Sequence, residues 1–279
     1  MNLSIQNCSA VLQAEFIGIQ KNTLIDAVAI DSRSLQNSTT TLFFALAGPN
    51  NDAHIYIEDL INKGVQNFVV THIPDGVLGK ANFLVVRNTL EALQKLAIYY
   101  RSLFDIPVVG ITGSNGKTIV KEWLNFLLSP DFTIIRSPKS YNSQVGVPLS
   151  VIGINEQHNF GIFEAGISTI SEMEKLEPII RPTIGILTNI GSAHDEGFAN
   201  ANEKIKEKLR LFGRAEILIY QKNAEVDALI PSEIKTFSWS FTTTEADVFL
   251  TKKRSANHTI LSVRQAKEQF EITIPFHDE

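Results

Sequence analysis

Residues 108–120 read Val-Val-Gly-Ile-Thr-Gly-Ser-Asn-Gly-Lys-Thr-Ile-Val, and this stretch decides the fold. A short apolar run, Ile106–Ile111, broken only by Pro107 and Gly110, enters a loop with glycines at 110, 113 and 116. Lys117 and Thr118 follow, and a helical pattern continues through Leu128. The order is strand, glycine-rich loop, helix N-terminus. Glycines let backbone N–H groups converge on a polyphosphate, the helix N-terminus adds partial positive charge, Lys117 supplies a full charge, and the Thr118 hydroxyl can ligate Mg2+. Gly113, Ser114, Asn115, Gly116, Lys117 and Thr118 are therefore the candidate phosphate contacts, and the ligand reads as ATP or GTP. The strict pattern G-x-x-x-x-G-K-[ST] asks for glycine at 111, where this chain has Ile111, so the loop is a variant.

Working outward, the period after the loop alternates strand and helix. Phe132–Ile135 reads as a strand, Val145–Ile152 as a helix or turn, and Phe160–Phe163 as a strand ending in Glu164. Ser171–Leu176 reads as a helix stopped by Pro178, Thr183–Leu187 as a strand running into Thr188-Asn189-Ile190-Gly191, Ala201–Phe212 as a helix, and Ile217–Tyr220 as a strand. Asp247–Leu250, Ile260–Val263 and Phe270–Ile274 read as late strands. This alternation implies a mostly parallel sheet with helices on both faces, whose ligands collect at the carboxyl ends of the strands.

Upstream, residues 1–104 read as a separate small α/β domain, and 105–279 as the phosphate-loop domain, with the boundary near Phe104–Pro107. Ala27–Ile30, Leu42–Leu46, Phe68–Val70 and Phe83–Val86 are strand-like, His54–Lys63 is helical, and Asn88 can cap a helix Thr89–Phe104. Two loops here are more polar than turns require. Asp31-Ser32-Arg33-Ser34 follows a strand, and Gly48–His54 runs into a helix, which suits a phosphate or a nucleobase edge. Ordinary turn and capping chemistry accounts for the same residues.

Bulk properties bound the function. At 279 residues the chain is long enough for about two domains. A net charge of −5, with no basic run longer than Lys252–Arg254, argues against nucleic acid as a partner. The single Cys8 cannot form an internal disulfide and fits a reducing compartment. Without a basic-then-apolar leader or an 18-residue apolar run, a cytoplasmic protein with no membrane insertion is expected.

Three residues beyond the loop carry chemistry. Glu164 ends an apolar strand of the nucleotide-binding sheet, where a carboxylate can hold Mg2+ directly or through water. His194 lies just past the strand-end loop Thr188–Ala193. Lys208 is conspicuous on the helical wheel: at ~100° per residue from Ile205, Leu209 and Phe212 define the buried stripe and Lys208 falls near 300°, beside it. Lys206, Glu207 and Arg210 point away on the same wheel. Lys208 therefore faces the sheet, either burying its stem with its head in water or standing near Mg2+. An ammonium cannot ligate a metal, and neutralising a lysine at pH 7 costs about 4 to 5 kcal/mol; a carbamate formed with CO2 would replace the cation by an oxygen anion.

Taken as an ordered set, Gly110–Thr118, Tyr141-Asn142-Ser143 with Gly146-Val147-Pro148, Glu164-Ala165-Gly166, Thr188-Asn189-Ile190-Gly191-x-x-His194 and Lys208 resemble the Mur ligases of peptidoglycan synthesis. Asp31-Ser32-Arg33, Leu42–Leu46 with Gly48, and Asp52-x-His54 resemble the uridine-diphosphate-binding domain of those family members that join D-alanyl-D-alanine to UDP-N-acetylmuramoyl-tripeptide. Ser140–Pro148 resembles the wording of Bacteroidetes-type chains in which this ligase is fused to an alanine racemase. The resemblance implies ATP-dependent amide formation through an acyl phosphate. By matching positions it implies Lys117 on the β/γ-phosphates, Asn189 in the nucleotide site, and Thr118 and Glu164 on a first Mg2+. His194 and carbamylated Lys208 would serve a second Mg2+. It further implies Asn142 and Ser143 on the muramoyl part, and Ser32, Arg33 and His54 in the uridine diphosphate site. Ser143 stands where members often have a second asparagine, and Arg210 where they often have an acid. Members also continue into a third, amine-binding domain, absent from this chain, so a fragment that holds UDP-substrate but ligates poorly is expected. A folylpolyglutamate-type ligase, or a non-catalytic phosphate-loop module, are the alternatives.

Overall fold

A computed structural model describes residues 1–20, 22–33, 35, 38–48, 51–191, 195–254 and 258–275. It divides into two compact units, one of 1–106, 132–160 and 178–180, the other of 107–131, 161–177 and 181–279.

The first unit is built on a five-stranded sheet of β1 (Glu15–Ile17), β2 (Ala27–Ala29), β3 (Thr41–Phe44), β4 (Asn67–Val70) and β5 (Asn82–Val85), in the order β1-β5-β4-β3-β2. The last four run parallel and β1 antiparallel. Strands β3 and β4 are buried along their whole length, as continuous apolar runs in a parallel sheet must be. Across neighbouring strands Phe43 meets Phe68 edge to face at 6.1 Å between ring centroids and Phe68 stacks on Phe83 at 5.6 Å, filling the core with aromatic area. At the amino ends of β4 and β5 the paired, buried Asn67 and Asn82 bond each other at 2.9 Å, and Asn82 Oδ1 accepts from the N–H groups of Ile19 and Gln20. That end is closed by its own hydrogen bonds.

Helix α1 (Ile5–Leu12), missed in the sequence, is capped by Ser4, whose hydroxyl accepts from Asn7 N–H, and buries Ile5, Cys8 and Leu12. Burial pushes the Cys8 thiol up to about 12, so it packs as an inert apolar group. Helices α2 (Ile57–Asn62) and α3 (Thr89–Arg101) complete the unit, α3 with Asn88 as its N-cap. The sequence reading divides the chain contiguously at 104; in the structure residues 132–160 cluster with the first unit. The ties are specific: Tyr100 Oη donates to Ile154 O at 2.8 Å, and Gln94 Nε2 donates to Gln144 Oε1 at 2.9 Å, fastening α3 to the region of the helix Gly146–Ile152.

In the second unit β6 (Val108–Thr112), β7 (Phe160–Glu164), β8 (Ile184–Leu187), β9 (Ile217–Gln221) and β10 (Lys235–Ser240) are parallel and lie in the order β7-β6-β8-β9-β10. The sheet continues through β11 (Val248–Arg254), parallel to β10, into antiparallel β12 (Thr259–Gln265) and β13 (Glu268–Ile274). This is the mostly parallel α/β architecture expected. Its longer helices are α4 (Lys117–Leu128), α5 (Met173–Ile180) and α6 (Ala201–Leu209), and a short helix, Ala224–Asp227, follows β9. Helix α4 leaves Ile119, Trp123, Phe126 and Leu127 exposed, and Lys121 is its only fully buried residue.

Two local expectations are corrected. Pro178 does not stop its helix: α5 runs two residues beyond it, because Ile179 and Ile180 are fully buried there and hold the turn despite the lost N–H. Glu207 does not point away: it is buried, and its Oε1 accepts from Met173 N–H at 3.0 Å, the free donor at the start of α5. Among the described residues no helix is long and apolar enough to cross a membrane.

Candidate functional site

Strand β6 runs between β7 and β8 with Ile111 opposite both Glu164 and Ile186, so Thr112, Glu164 and Leu187 end side by side. Ile111, the departure from the strict phosphate-loop pattern, is a fully buried strand residue and takes no part in the loop itself. The loop begins at Gly113, with φ of 145°, and ends at Gly116, with φ of 82°, both in the region that favours glycine. A Cβ at Gly113 would fall 2.0 Å from Thr188 Oγ1. Helix α4 then starts at Lys117 with Gly116 as N-cap, no side-chain cap and no acid in its first turn. An uncapped, acid-free helix start behind a glycine loop fits an anion.

The segment after β8 fastens this loop. Ser114 N–H donates to Asn189 O at 2.9 Å, Gly191 N–H to Ser114 Oγ at 3.0 Å, and Thr188 Oγ1 to Asn115 O at 2.6 Å. Asn189, expected among the nucleotide contacts, uses its side-chain carbonyl to accept from Asn115 N–H at 2.8 Å. In this structure it shapes the loop.

Around the loop stand lysines. Lys117 Nζ donates to Gly113 O at 2.8 Å, and Lys208 Nζ to the same oxygen at 3.3 Å. Lys204, which shares the inward face of α6 with Lys208, donates to Gly191 O. Lys208 is 2% exposed and its ammonium is buried, so it does not hold its head in water. Burial first, then the charges of Lys117 and Lys204, lower Lys208 to about 8; burial also lowers Lys117, opposed by Glu164. Like charges crowded at loop carbonyls fit an anionic occupant.

Glu164 is fully buried at the end of β7. Its Oε2 accepts from Thr118 Oγ1 at 3.0 Å, and its Oε1 lies 2.8 Å from Nζ of the fully buried Lys121. Two adjacent oxygens at a polyphosphate loop fit Mg2+, which takes one or two protein oxygens and fills its octahedron with phosphate and water. Among the described residues no group of three or more His, Cys, Asp or Glu could hold a metal by protein ligands alone. His194 lies outside the described residues. The sequence reading missed Lys121 and Lys204, though both were visible as helical neighbours: Lys121 one turn from Lys117 and Thr118, Lys204 one turn from Lys208. A cleft of about 150 Å3, lined in part by Thr188, Asn189, Gln221 and Asn223, adjoins the loop at the ends of β8 and β9.

In the first unit the expected residues lie at the carboxyl edge of the parallel strands. Arg33, after β2, is exposed; its guanidinium grips Asp31 through Nε at 2.9 Å and Nη2 at 2.7 Å, and holds that carboxyl down at about 2. Ser32 between them is half-buried. His54 is buried, not presented at the surface. Its Nδ1 lies 2.5 Å from Asp52 Oδ1, its Nε2 accepts from Thr71 N–H at 2.9 Å, and its ring stacks on His72 at 4.4 Å. Because Nε2 accepts, Nδ1 carries the proton toward Asp52. Both nitrogens are used within the fold, tying the segment after β3 to the end of β4. Asn142 is half-buried, and Ser143 spends its hydroxyl accepting from Gly146 N–H at 3.1 Å, at the start of the helix Gly146–Ile152.

These observations agree with what known proteins show. Residues 111–277 match the model of the Mur ligase middle domain. The chain is 33% identical over 196 residues to the UDP-N-acetylmuramoyl-tripeptide--D-alanyl-D-alanine ligase of Rickettsia prowazekii, an alignment covering 70% of this chain and 43% of that protein. It thus spans less than half the length of that relative. A crystal structure of MurF from Acinetobacter baumannii shares the fold with a TM-score of 0.88 at 23% identity, covering 99% of this chain and 61% of that one. A MurF ligase from Thermotoga maritima, solved in complex with ADP, aligns with a TM-score of 0.79 at 22% identity over 88% of this chain and 57% of its own. The matched residues take in the end of β6, the glycine loop, Glu164, Thr188–Gly191 and Lys208, and cover well over half the chain, which therefore belongs to the Mur ligase family.

Proposed function

We propose that the protein carrying this chain is an ATP-dependent amide ligase of peptidoglycan synthesis, joining D-alanyl-D-alanine to UDP-N-acetylmuramoyl-tripeptide. The observation that carries the reading is the loop Gly113–Gly116, with Lys117 and Lys208 on one loop carbonyl and the Thr118–Glu164 pair at the strand ends. The activity of the Rickettsia relative supplies the substrates, and the ADP of the Thermotoga structure supports the nucleotide.

In this reading loop N–H groups and the start of α4 bind the phosphates and Lys117 neutralises charge that develops on the γ-phosphoryl group. Thr118 and Glu164 would hold Mg2+, which would supply positive charge beside the phosphates. The tripeptide carboxylate attacks the γ-phosphorus, ADP leaves, and the amine of D-alanyl-D-alanine displaces phosphate from the acyl phosphate, losing a proton. Ser32 and Arg33 serve the uridine diphosphate, with His54 holding their neighbourhood in place; Asn142 and Ser143 serve the muramoyl part.

In the same reading the neutral amine of Lys208 adds to CO2 and releases a proton to become a carbamate, which with His194 would hold a second Mg2+. A buried amine lowered to about 8, with Lys117 and Lys204 as cationic neighbours, supports this, because the carbamate turns a repulsion into two attractions. A carbamate carbon resonance from 13C-labelled bicarbonate, lost in Lys208→Arg, is the expected result.

The activity is tested with the natural protein in which this chain occurs, ATP, UDP-N-acetylmuramoyl-tripeptide and D-alanyl-D-alanine, following product mass. The amide is expected. ADP release without amide overturns the assignment, and a glutamate-extended folate product would favour a folylpolyglutamate-type ligase.

A further inference from the structure

Helix α4 carries two lysines one turn apart on one face, and they do different things. Lys117 opens the helix and reaches back to the carbonyls of Gly113 and Ser114 at 2.8 and 3.4 Å. Lys121 turns inward and is 0% exposed, its Nζ 2.8 Å from Glu164 Oε1 and 3.2 Å from Glu122 Oε1. Glu122 is 43% exposed, so water screens that contact, whereas Glu164 is as buried as the lysine. The two oxygens of Glu164 thus have separate duties. Oε1 faces an ammonium, and Oε2 faces the Thr118 hydroxyl.

A buried carboxylate beside a polyphosphate site would repel the ligand it serves until a divalent cation joins it. A buried ammonium on its far oxygen removes that repulsion in advance. We propose that Lys121 is a built-in counter-cation for Glu164, a positioning residue that lets the loop accept an adenine nucleotide before Mg2+ arrives and that presents one carboxylate oxygen to the metal. This rests on the nucleotide reading above. Only changes in charge matter: the Lys121–Glu164 pair is neutral, loss of the lysine shifts the site by −1 relative to the wild-type chain, and loss of both charges restores the wild-type total. At an effective dielectric near 20, one uncompensated charge a few ångströms from a phosphate is worth more than a tenfold change in affinity.

The test is ADP binding by calorimetry, once in EDTA and once in Mg2+, for the wild-type chain, Lys121→Met, Lys121→Arg and the double variant Lys121→Met with Glu164→Gln. Lys121→Met is expected to weaken ADP about tenfold or more in EDTA and less than about threefold in Mg2+, because the metal supplies the missing charge. Lys121→Arg keeps the wild-type pattern. The double variant, which leaves no uncompensated buried charge, binds ADP in EDTA within about threefold of wild type but no longer responds to Mg2+. Equal weakening of Lys121→Met in both buffers, or none in either, overturns the proposal. Should Lys121→Met fail to fold, the double variant decides: a tenfold loss in EDTA overturns it. A wild-type chain that takes no ADP in either buffer removes the nucleotide reading itself, and this assignment with it.

Discussion

The two units present polar residues at the carboxyl ends of parallel strands, yet they treat those residues oppositely. In the first, Arg33 is matched by Asp31 in a two-point grip, and His54 has a partner on each nitrogen. In the second, Lys117 and Lys208 share the Gly113 carbonyl, and Lys208 is depressed well below an ordinary lysine. Residues matched within the fold build a scaffold and contribute stability; like charges gathered at neutral carbonyls cost stability, and only an anion offsets that cost. The difference separates holding a shape from waiting for a ligand.

The comparison breaks most sharply at Gly113. A methyl there meets Thr188 Oγ1 at 2.0 Å in a backbone conformation that disfavours any side chain, so Gly113→Ala is expected to weaken ADP by about a hundredfold in calorimetry.

Next comes Lys208, whose charge costs stability in the folded chain. Its value of about 8 lies below the ordinary 10.5, so between these values the unfolded chain holds a proton that the folded one has released. Stability therefore rises with pH across that window, and the full cost is present below pH 8. In CO2-free buffer Lys208→Met is expected to gain up to about 3 kcal/mol at pH 7, a gain that fades toward pH 10. Denaturant melts at both pH values check it, and a pH-independent difference would contradict the burial of the charge.

His54→Ala removes a buried ring and strips a partner from Thr71 N–H and from the partly exposed Asp52, and is expected to cost about 2 kcal/mol. ADP affinity stays unchanged; a parallel loss of ADP binding would erase the distinction between the two units. Smallest is Arg33→Ala. An exposed pair contributes within about 0.5 kcal/mol, so urea melts should barely move while uridine diphosphate binding weakens.

Much of this was legible in the chain, for a local reason. The glycine loop, its strand and its helix are contiguous, and the inward aim of Lys208 follows from helical period alone. What escaped depends on partners distant in sequence. Glu207 looks solvated on its own helix, and only the free N–H of Met173 explains its burial. Lys121 looks like any helical lysine until Glu164 is set beside it. His54 reads as a ligand-facing donor because a sequence does not reveal that Thr71 and His72 close over it. The clustering of 132–160 with the first unit rests on Tyr100 reaching Ile154. Pro178 was overruled by two buried isoleucines.

The register of Ile111 against Glu164 and Ile186 has one more effect. It makes the sheet a ruler with coarse graduations. The glycine loop, Glu164 and the clamp after β8 lie at the ends of three hydrogen-bonded strands, so their spacing is set by main-chain ladders. Packing around them can loosen without changing that spacing, since a ladder moves only in whole steps and a single step would turn Glu164 to the opposite face. Substitutions elsewhere in the core should lower the fraction of molecules that are folded and leave the alignment of those that remain untouched.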